Sequence, residues 1–126
     1  MKTKQILTGE DPLKEKTLIL AIRVVRLCKY LKEKKTEYTI SGQIIRSGTN
    51  PGAMVREAKN AESSKDFIHK LGVAQKEAAE TQFWLELLYE TDYITKREFD
   101  SLYALSVEII KLLRSSILTK KANLGL

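Results

Sequence analysis

The chain has 126 residues, of which 43% are hydrophobic and 30% charged, with a formal net charge of +6. That is the size of one domain with a core of its own and a heavily charged surface. Single Cys and His residues exclude a disulfide framework within the chain and most His/Cys metal sites, and the cysteine usage fits a reducing cytoplasm. No apolar run reaches the roughly 18 residues of a membrane span, and Met1 to Asp11 has no apolar stretch of the signal-peptide kind.

The first predicted helix opens at Asp11-Pro12, with Asp as N-cap and Pro in the first helical position. Leu13, Leu20, Val24, Leu27 and Leu31 then recur at helical spacing with Thr17 in the gap. A second stripe of Leu18, Ile22 and Val25 points to burial on more than one side or to a subunit contact. The helix is expected over 12–34, fading in the lysines at 32, 34 and 35.

The second segment begins near Thr39 or Ser41 and is expected over 40–63. Ile40, Ile44, Ile45, Ala53, Met54, Ala58 and Ala61 form its apolar set. Pro51 lacks an N–H and clashes with the carbonyl four residues back, while Asn50 before it is biased away from helix. From the residues alone, a break here and a kinked but continuous helix stand as equals.

The third segment follows the cap-forming stretch Ser63-Ser64-Lys65-Asp66 and is expected over 66–91. Phe67, Leu71, Ala74, Ala78, Leu85 and Leu88 follow heptad-like spacing, with Ile68, Ala79 and Phe83 beside them. The fourth opens on Thr95 and Glu98, spaced as a capping box, and is expected over 95–120. Phe99, Leu102, Tyr103, Ser106, Ile109, Ile110, Leu113 and Ile117 are its core face, and Lys111, Arg114, Lys120 and Lys121 crowd its basic end. The pattern predicts an all-α, up-down-up-down antiparallel four-helix bundle in one domain over 1–126, with loose ends at 1–11 and 121–126. The surplus apolar stripes predict assembly with copies of itself.

Charge is uneven along the chain: +5 over residues 1–38, +1 over 39–64, −3 over 65–94 and +3 over 95–126. Basic faces on the first and last helices suit phosphate contacts. The expected nucleic-acid contacts are Lys14, Lys16, Arg23, Arg26, Lys29, Lys111, Arg114, Lys120 and Lys121. Enzyme signatures are missing. His69 has no adjacent acid or serine, and Cys28 sits by the core stripe with no partner base. Ser47-Gly48-Thr49 lacks the Gly-Lys-Ser/Thr end of a phosphate loop. Glu77 and Glu80 with Glu57 imitate a carboxylate cluster but lack the histidine that bundle metal sites add. No metal, cofactor or catalytic residue is expected.

Arg46-Ser-Gly-Thr-Asn-Pro-Gly-Ala53, Arg56-Glu-Ala58, Ser64-Lys-Asp-Phe67, Lys70-Leu71, Lys76-Glu77, Glu80-Thr81 and Trp84-Leu-Glu-Leu-Leu88 follow one another in an order and spacing that carry a resemblance. With these motifs the chain resembles the four-helix bundle proteins known as 23S rRNA intervening-sequence proteins, or ribosomal protein-like. Asn50-Pro51 replaces the usual Ser-Ile, and Met54 stands where the family often has Asn. The resemblance implies a second helix continuous through the Ser-Gly-Thr motif, a homopentameric ring and no enzymatic activity. It also implies a relation to the accessory variability determinant of diversity-generating retroelements, a basic pentamer that binds a reverse transcriptase and nucleic acid. On this reading Arg46, Ser47, Gly48, Thr49, Glu57, Asp66, Lys76, Glu77, Glu80 and Trp84 form a structural or inter-subunit network. Arg46 is expected to pair with Glu77 or Glu80, within the chain or across the ring. Two functions follow: a non-catalytic oligomer binding RNA or DNA through its first and fourth helices, or a scaffold recruiting a reverse transcriptase or ribosomal partner.

Overall fold

The computed structural model describes residue 7 and residues 9–126; residues 1–6 and 8, most of the expected loose leader, lie outside the described residues. Four helices follow in order: α1 (Pro12–Lys35), α2 (Thr39–Lys59), α3 (Ser64–Glu90) and α4 (Lys96–Asn123). Among the described residues there is no strand.

Each helix starts where a side chain satisfies its free N–H groups. Asp11 accepts from the Lys14 N–H at 3.1 Å, ahead of Pro12 in the first helical position. Ser63 accepts from the Asp66 N–H at 3.0 Å. Thr95 and Glu98 form the expected reciprocal capping box. The second helix starts at Thr39, as expected, on a cap that the sequence reading did not name. Neither Thr39 nor Ser41 caps it; the buried Glu37 carboxylate, one residue before the N-cap position, accepts from the Ile40 N–H at 2.9 Å and the Ser41 N–H at 2.8 Å. Thr36 ends α1 in the left-handed region, φ 53°, which brings Glu37 back over the start of α2.

The connections place each helix antiparallel to the next. Along α1 and α2, Cys28 meets Ser41, Val24 faces Gly48 and Thr17 faces Gly52. Along α2 and α3, Ser47 meets Thr81 and Glu57 meets Lys70. Along α3 and α4, Phe67, Gln82 and Tyr89 meet Lys120, Ser106 and Phe99. Lys16 meets Glu108 where α4 returns to α1. Among the described residues the backbones approach closely only between helices adjacent around the bundle, so the four close a square, and the α1–α4 side is the sparsest. The up-down-up-down bundle expected from the sequence is the observed fold. Its core is Leu20, Val24, Leu31, Ile44, Ala74, Ala78, Leu85, Leu88, Ile109 and Leu113, none of them exposed to solvent.

The structure decides the reading left open at Pro51, in favour of the continuous helix that the resemblance implied, and moves two helix ends. The helix does not break at Pro51: α2 is continuous, and Pro51 is fully buried inside the bundle. A proline within a helix costs about 3 kcal/mol through the missing bond and the clash. Here the ring is packed into the core, and burial of its apolar surface offsets part of that cost. The Thr49 hydroxyl donates to the Ile45 carbonyl at 2.6 Å in the turn before it. The helix ends also move. The second helix ends at Lys59 rather than 63, because Asn60 to Ser63 must reverse the chain and cap the next helix. The fourth runs on to Asn123, three residues beyond the expected 120.

Candidate functional site

The family-like motif of α2 is a packing device. Ser47 and Thr81 are both wholly buried, and the Thr81 hydroxyl lies 3.0 Å from Ser47 Oγ and 2.9 Å from the Glu77 carbonyl. A Cβ on Gly48 would lie 2.7 Å from Val24 Cγ2, and one on Gly52 would lie 3.5 Å from the Thr17 carbonyl oxygen. Small residues at 47, 48 and 52 thus let α2 approach two neighbours, which explains the residue choice without a ligand.

The charges of the motif do not form the expected network within one chain. Arg46 is exposed and pairs with neither Glu77 nor Glu80. It projects away from the core, because Ser47 and Gly48 take the inward positions of that turn. Glu57 pairs with Lys70 at 3.2 Å, while Lys76 makes no ion pair among the described residues. Asp66 accepts from the Glu62 N–H at 3.3 Å and so braces the turn into α3. Trp84 is half-buried, edge-on to the exposed Phe83 with ring centroids 4.9 Å apart, and its Nε1 is buried without an acceptor. Among the described residues no three of His, Cys, Asp and Glu are grouped to hold a metal ion.

The nine basic residues expected to contact nucleic acid fall into two groups. Antiparallel packing puts Lys111, Arg114, Lys120 and Lys121 of α4 toward the end of the bundle where α1 begins, near Lys14 and Lys16. Arg23, Arg26 and Lys29 lie toward the other end. Lys16 is tied to Glu108 at 2.6 Å, and the Lys120 ammonium sits 4.7 Å from the centre of the Phe67 ring. Among the described residues the other seven make no ion pair.

At the Arg23 end, α1 and α4 leave an open groove of about 350 Å³. Arg23, Arg26, Leu27 and Tyr30 line it from α1, and Glu98 and Leu102 from α4. Leu27 and Leu102 are buried and floor it, whereas Tyr30 is 40% exposed. Glu98 makes no ion pair with either arginine; its Oε1 accepts from the Thr95 N–H and hydroxyl, both at 3.0 Å. Sequence reasoning found the arginines and missed Tyr30. The available signal was the spacing of positions 23, 26 and 30, which puts all three on one helix face.

Two buried titratable groups, Cys28 and Glu37, are perturbed for structural reasons. Burial pushes the Cys28 thiol up to about 11, an inert side chain 3.5 Å from the Ser41 carbonyl. Burial also opposes charge on Glu37, but hydrogen bonds from the Ile40 and Ser41 N–H groups and the Ser41 hydroxyl outweigh it. They hold the carboxyl below its ordinary range.

A family model described as 23S rRNA-intervening sequence protein matches residues 13–115, which span all but the ends of the four helices. The chain belongs to this family. It is also similar to a crystal structure of a protein of unknown function from the S23 ribosomal protein family of Bacteroides thetaiotaomicron VPI-5482. That similarity is 50% identity over 83% of this chain and 97% of the other, with a TM-score of 0.82. No curated protein matches the chain. The matched span holds the whole Arg46–Trp84 motif and both sides of the groove, and it leaves out Lys120 and Lys121. No helix among the described residues is long and apolar enough to cross a membrane.

Proposed function

We propose that this member of the 23S rRNA-intervening sequence protein family is a non-catalytic, cytoplasmic, nucleic-acid-binding protein that works as a ring of identical subunits. The observation that carries the reading is unspent positive charge. Of the nine basic residues expected to contact nucleic acid, only Lys16 is neutralised by a carboxylate among the described residues. The net charge of +6 therefore comes largely from side chains with their donors turned to solvent, the condition for phosphate contacts. Assembly is supported by apolar surface a single bundle leaves wet: Val25 is 37% exposed, Phe83 55% and Leu118 59%. On this reading Arg46, exposed at the start of the motif, pairs with an acid of a neighbouring subunit such as Glu77 or Glu80.

A titration of labelled RNA and DNA against a salt series tests the binding. Affinity is expected to fall steeply as salt rises, because each phosphate neutralised releases counterions. Failure to bind at low salt, or binding that ignores salt, refutes it. Light scattering tests the ring, with a mass five times 14.4 kDa expected for a pentamer and a clean monomer refuting it. A second reading rests on Phe83 and Trp84. The exposed Phe83 against the half-buried Trp84, on the most acidic segment, suits a protein partner, such as a reverse transcriptase or a ribosomal component, better than a phosphate backbone.

A further inference from the structure

We infer that the groove between α1 and α4 takes an unpaired nucleotide of a single strand, with the base on the ring of Tyr30 and the adjoining phosphate on Arg23 and Arg26. This rests on the reading that the protein binds nucleic acid, and goes beyond it by naming the form bound and the residue that selects it. Three observations meet here. Tyr30 is a large aromatic ring left 40% exposed beside two arginines that have no carboxylate partner among the described residues. The one acid in the groove, Glu98, is held by the capping box of its own helix. The groove, at about 350 Å³, lies at the small end of the range of ligand pockets, about 300–1,000 Å³. Buried Leu27 and Leu102 give it an apolar floor.

The chemistry of the occupant follows. Two unpaired guanidiniums call for a phosphate, which they can grip in bidentate fashion. An exposed ring beside an apolar floor calls for a flat, hydrophobic group, and a nucleobase is that group joined to a phosphate. Bases within a duplex are stacked on one another and cannot reach such a ring, so the geometry suits an unstacked base. The Lys35 ammonium lies over the Tyr30 ring, 6.0 Å from its centre, and adds positive charge beside the groove. Phe83 is more exposed than Tyr30, yet it stands in the −3 segment of the chain, where a phosphate is repelled.

The test is fluorescence anisotropy on the full-length protein with end-labelled U10, dT10 and a ten-base-pair duplex, comparing wild type, Tyr30→Leu and Tyr30→Phe at two salt concentrations. Stacking of one base predicts that Tyr30→Leu weakens U10 or dT10 binding by about tenfold. The same substitution leaves the duplex affinity and the salt slope unchanged, and Tyr30→Phe retains wild-type affinity. Comparison of U10 with dT10 identifies the preferred strand. Arg23→Gln with Arg26→Gln should make the single-strand salt slope shallower by about 0.7, the contribution of the one phosphate they share. Thermal melting of each variant monitors the fold, and Tyr30→Ser serves as a second truncation if Tyr30→Leu melts early. Unchanged U10 and dT10 affinity in Tyr30→Leu overturns the groove while leaving general nucleic-acid binding intact. Equal losses on single strand and duplex also overturn it. No binding of any probe by wild type at low salt overturns the groove and the proposed function together.

Discussion

Gly48→Ala is the substitution that most directly tests how α1 and α2 pack. In an exposed helix the change would be favourable, since alanine has the higher helix propensity by roughly 1 kcal/mol. Here the new Cβ would lie 2.7 Å from Val24 Cγ2, 2.9 Å from Cγ1 and 3.0 Å from Cβ. Rotation about χ1 of Val24 cannot clear all three atoms, because Cβ itself is in contact. Val24 is fully buried, so the helices must separate or the core must shift. Overpacking of this kind costs about 1–3 kcal/mol, and more where backbone has to move. The net expected loss, after the propensity gain, is about 1–2 kcal/mol. In a chain of this size that is a fall in melting temperature of roughly 4–8 °C. Gly72→Ala in α3 is the internal control: nothing lies within 4 Å of its added Cβ, so it should gain about 0.5–1 kcal/mol. Urea denaturation at fixed protein concentration measures both. Val24→Ala in the Gly48→Ala background should recover part of the loss, as the space is vacated. If Gly48→Ala stabilises the protein as much as Gly72→Ala does, the close approach of α1 and α2 is wrong.

Three further outcomes are expected. Thr81→Val removes the buried hydroxyl bonded to Ser47 and should cost about 1–3 kcal/mol in chemical denaturation. Adding Ser47→Ala should then cost less than the sum of the two single changes, since no polar group is left unpaired, and strict additivity would contradict the bond. Glu37, and Asp11 bonded to Lys59 and the Lys14 N–H, have carboxyls held below the ordinary range in the folded chain. Their stabilisation is present above the unfolded values near pH 4 and is lost as pH falls through the lower folded values. Glu37→Gln should therefore lower stability at pH 7 and flatten the acid limb of a melting-temperature profile; parallel profiles would refute its role as the α2 cap. The Cys28 thiol, pushed up to about 11 by burial, should resist iodoacetamide at pH 8 in the folded protein and react fully in guanidinium, as followed by mass spectrometry. Rapid labelling of the native chain would contradict its burial.

The fold was legible in the sequence because the strongest signals were local. Leu20, Val24, Leu27 and Leu31 kept helical period and are all buried, and the Thr95–Glu98 box formed as spaced. Pro51 was undecided from its neighbours alone, since the local rule against a helical proline competes with burial that only the assembled bundle supplies. Glu37 was invisible as a cap because it acts from outside the usual N-cap position, after a left-handed Thr36. The site was less legible. Lysines and arginines could be listed by helix, but whether each meets an acid depends on antiparallel register, which paired Lys16 with Glu108 and left Arg23 beside a carboxylate committed elsewhere. Arg46 looked like a pairing residue because its motif is polar; the inward positions went to Ser47 and Gly48, and the guanidinium was turned outward.

The sparse side of the square also sets the order in which the chain closes. The α1–α2, α2–α3 and α3–α4 contacts each join helices adjacent in sequence, so each closes a short loop. Joining α4 to α1 brings together residues as far apart as Lys16 and Glu108, and the entropy of closing so long a loop has to be overcome by fewer contacts. A three-helix unit of α1–α3 or α2–α4 is therefore expected to form ahead of the seam between the terminal helices. In the folded protein the same seam is the first to part, so amide protons facing it exchange through opening events smaller than global unfolding. The groove of Arg23, Arg26 and Tyr30 lies on that seam, where the bundle can yield to an occupant without disturbing its other three sides.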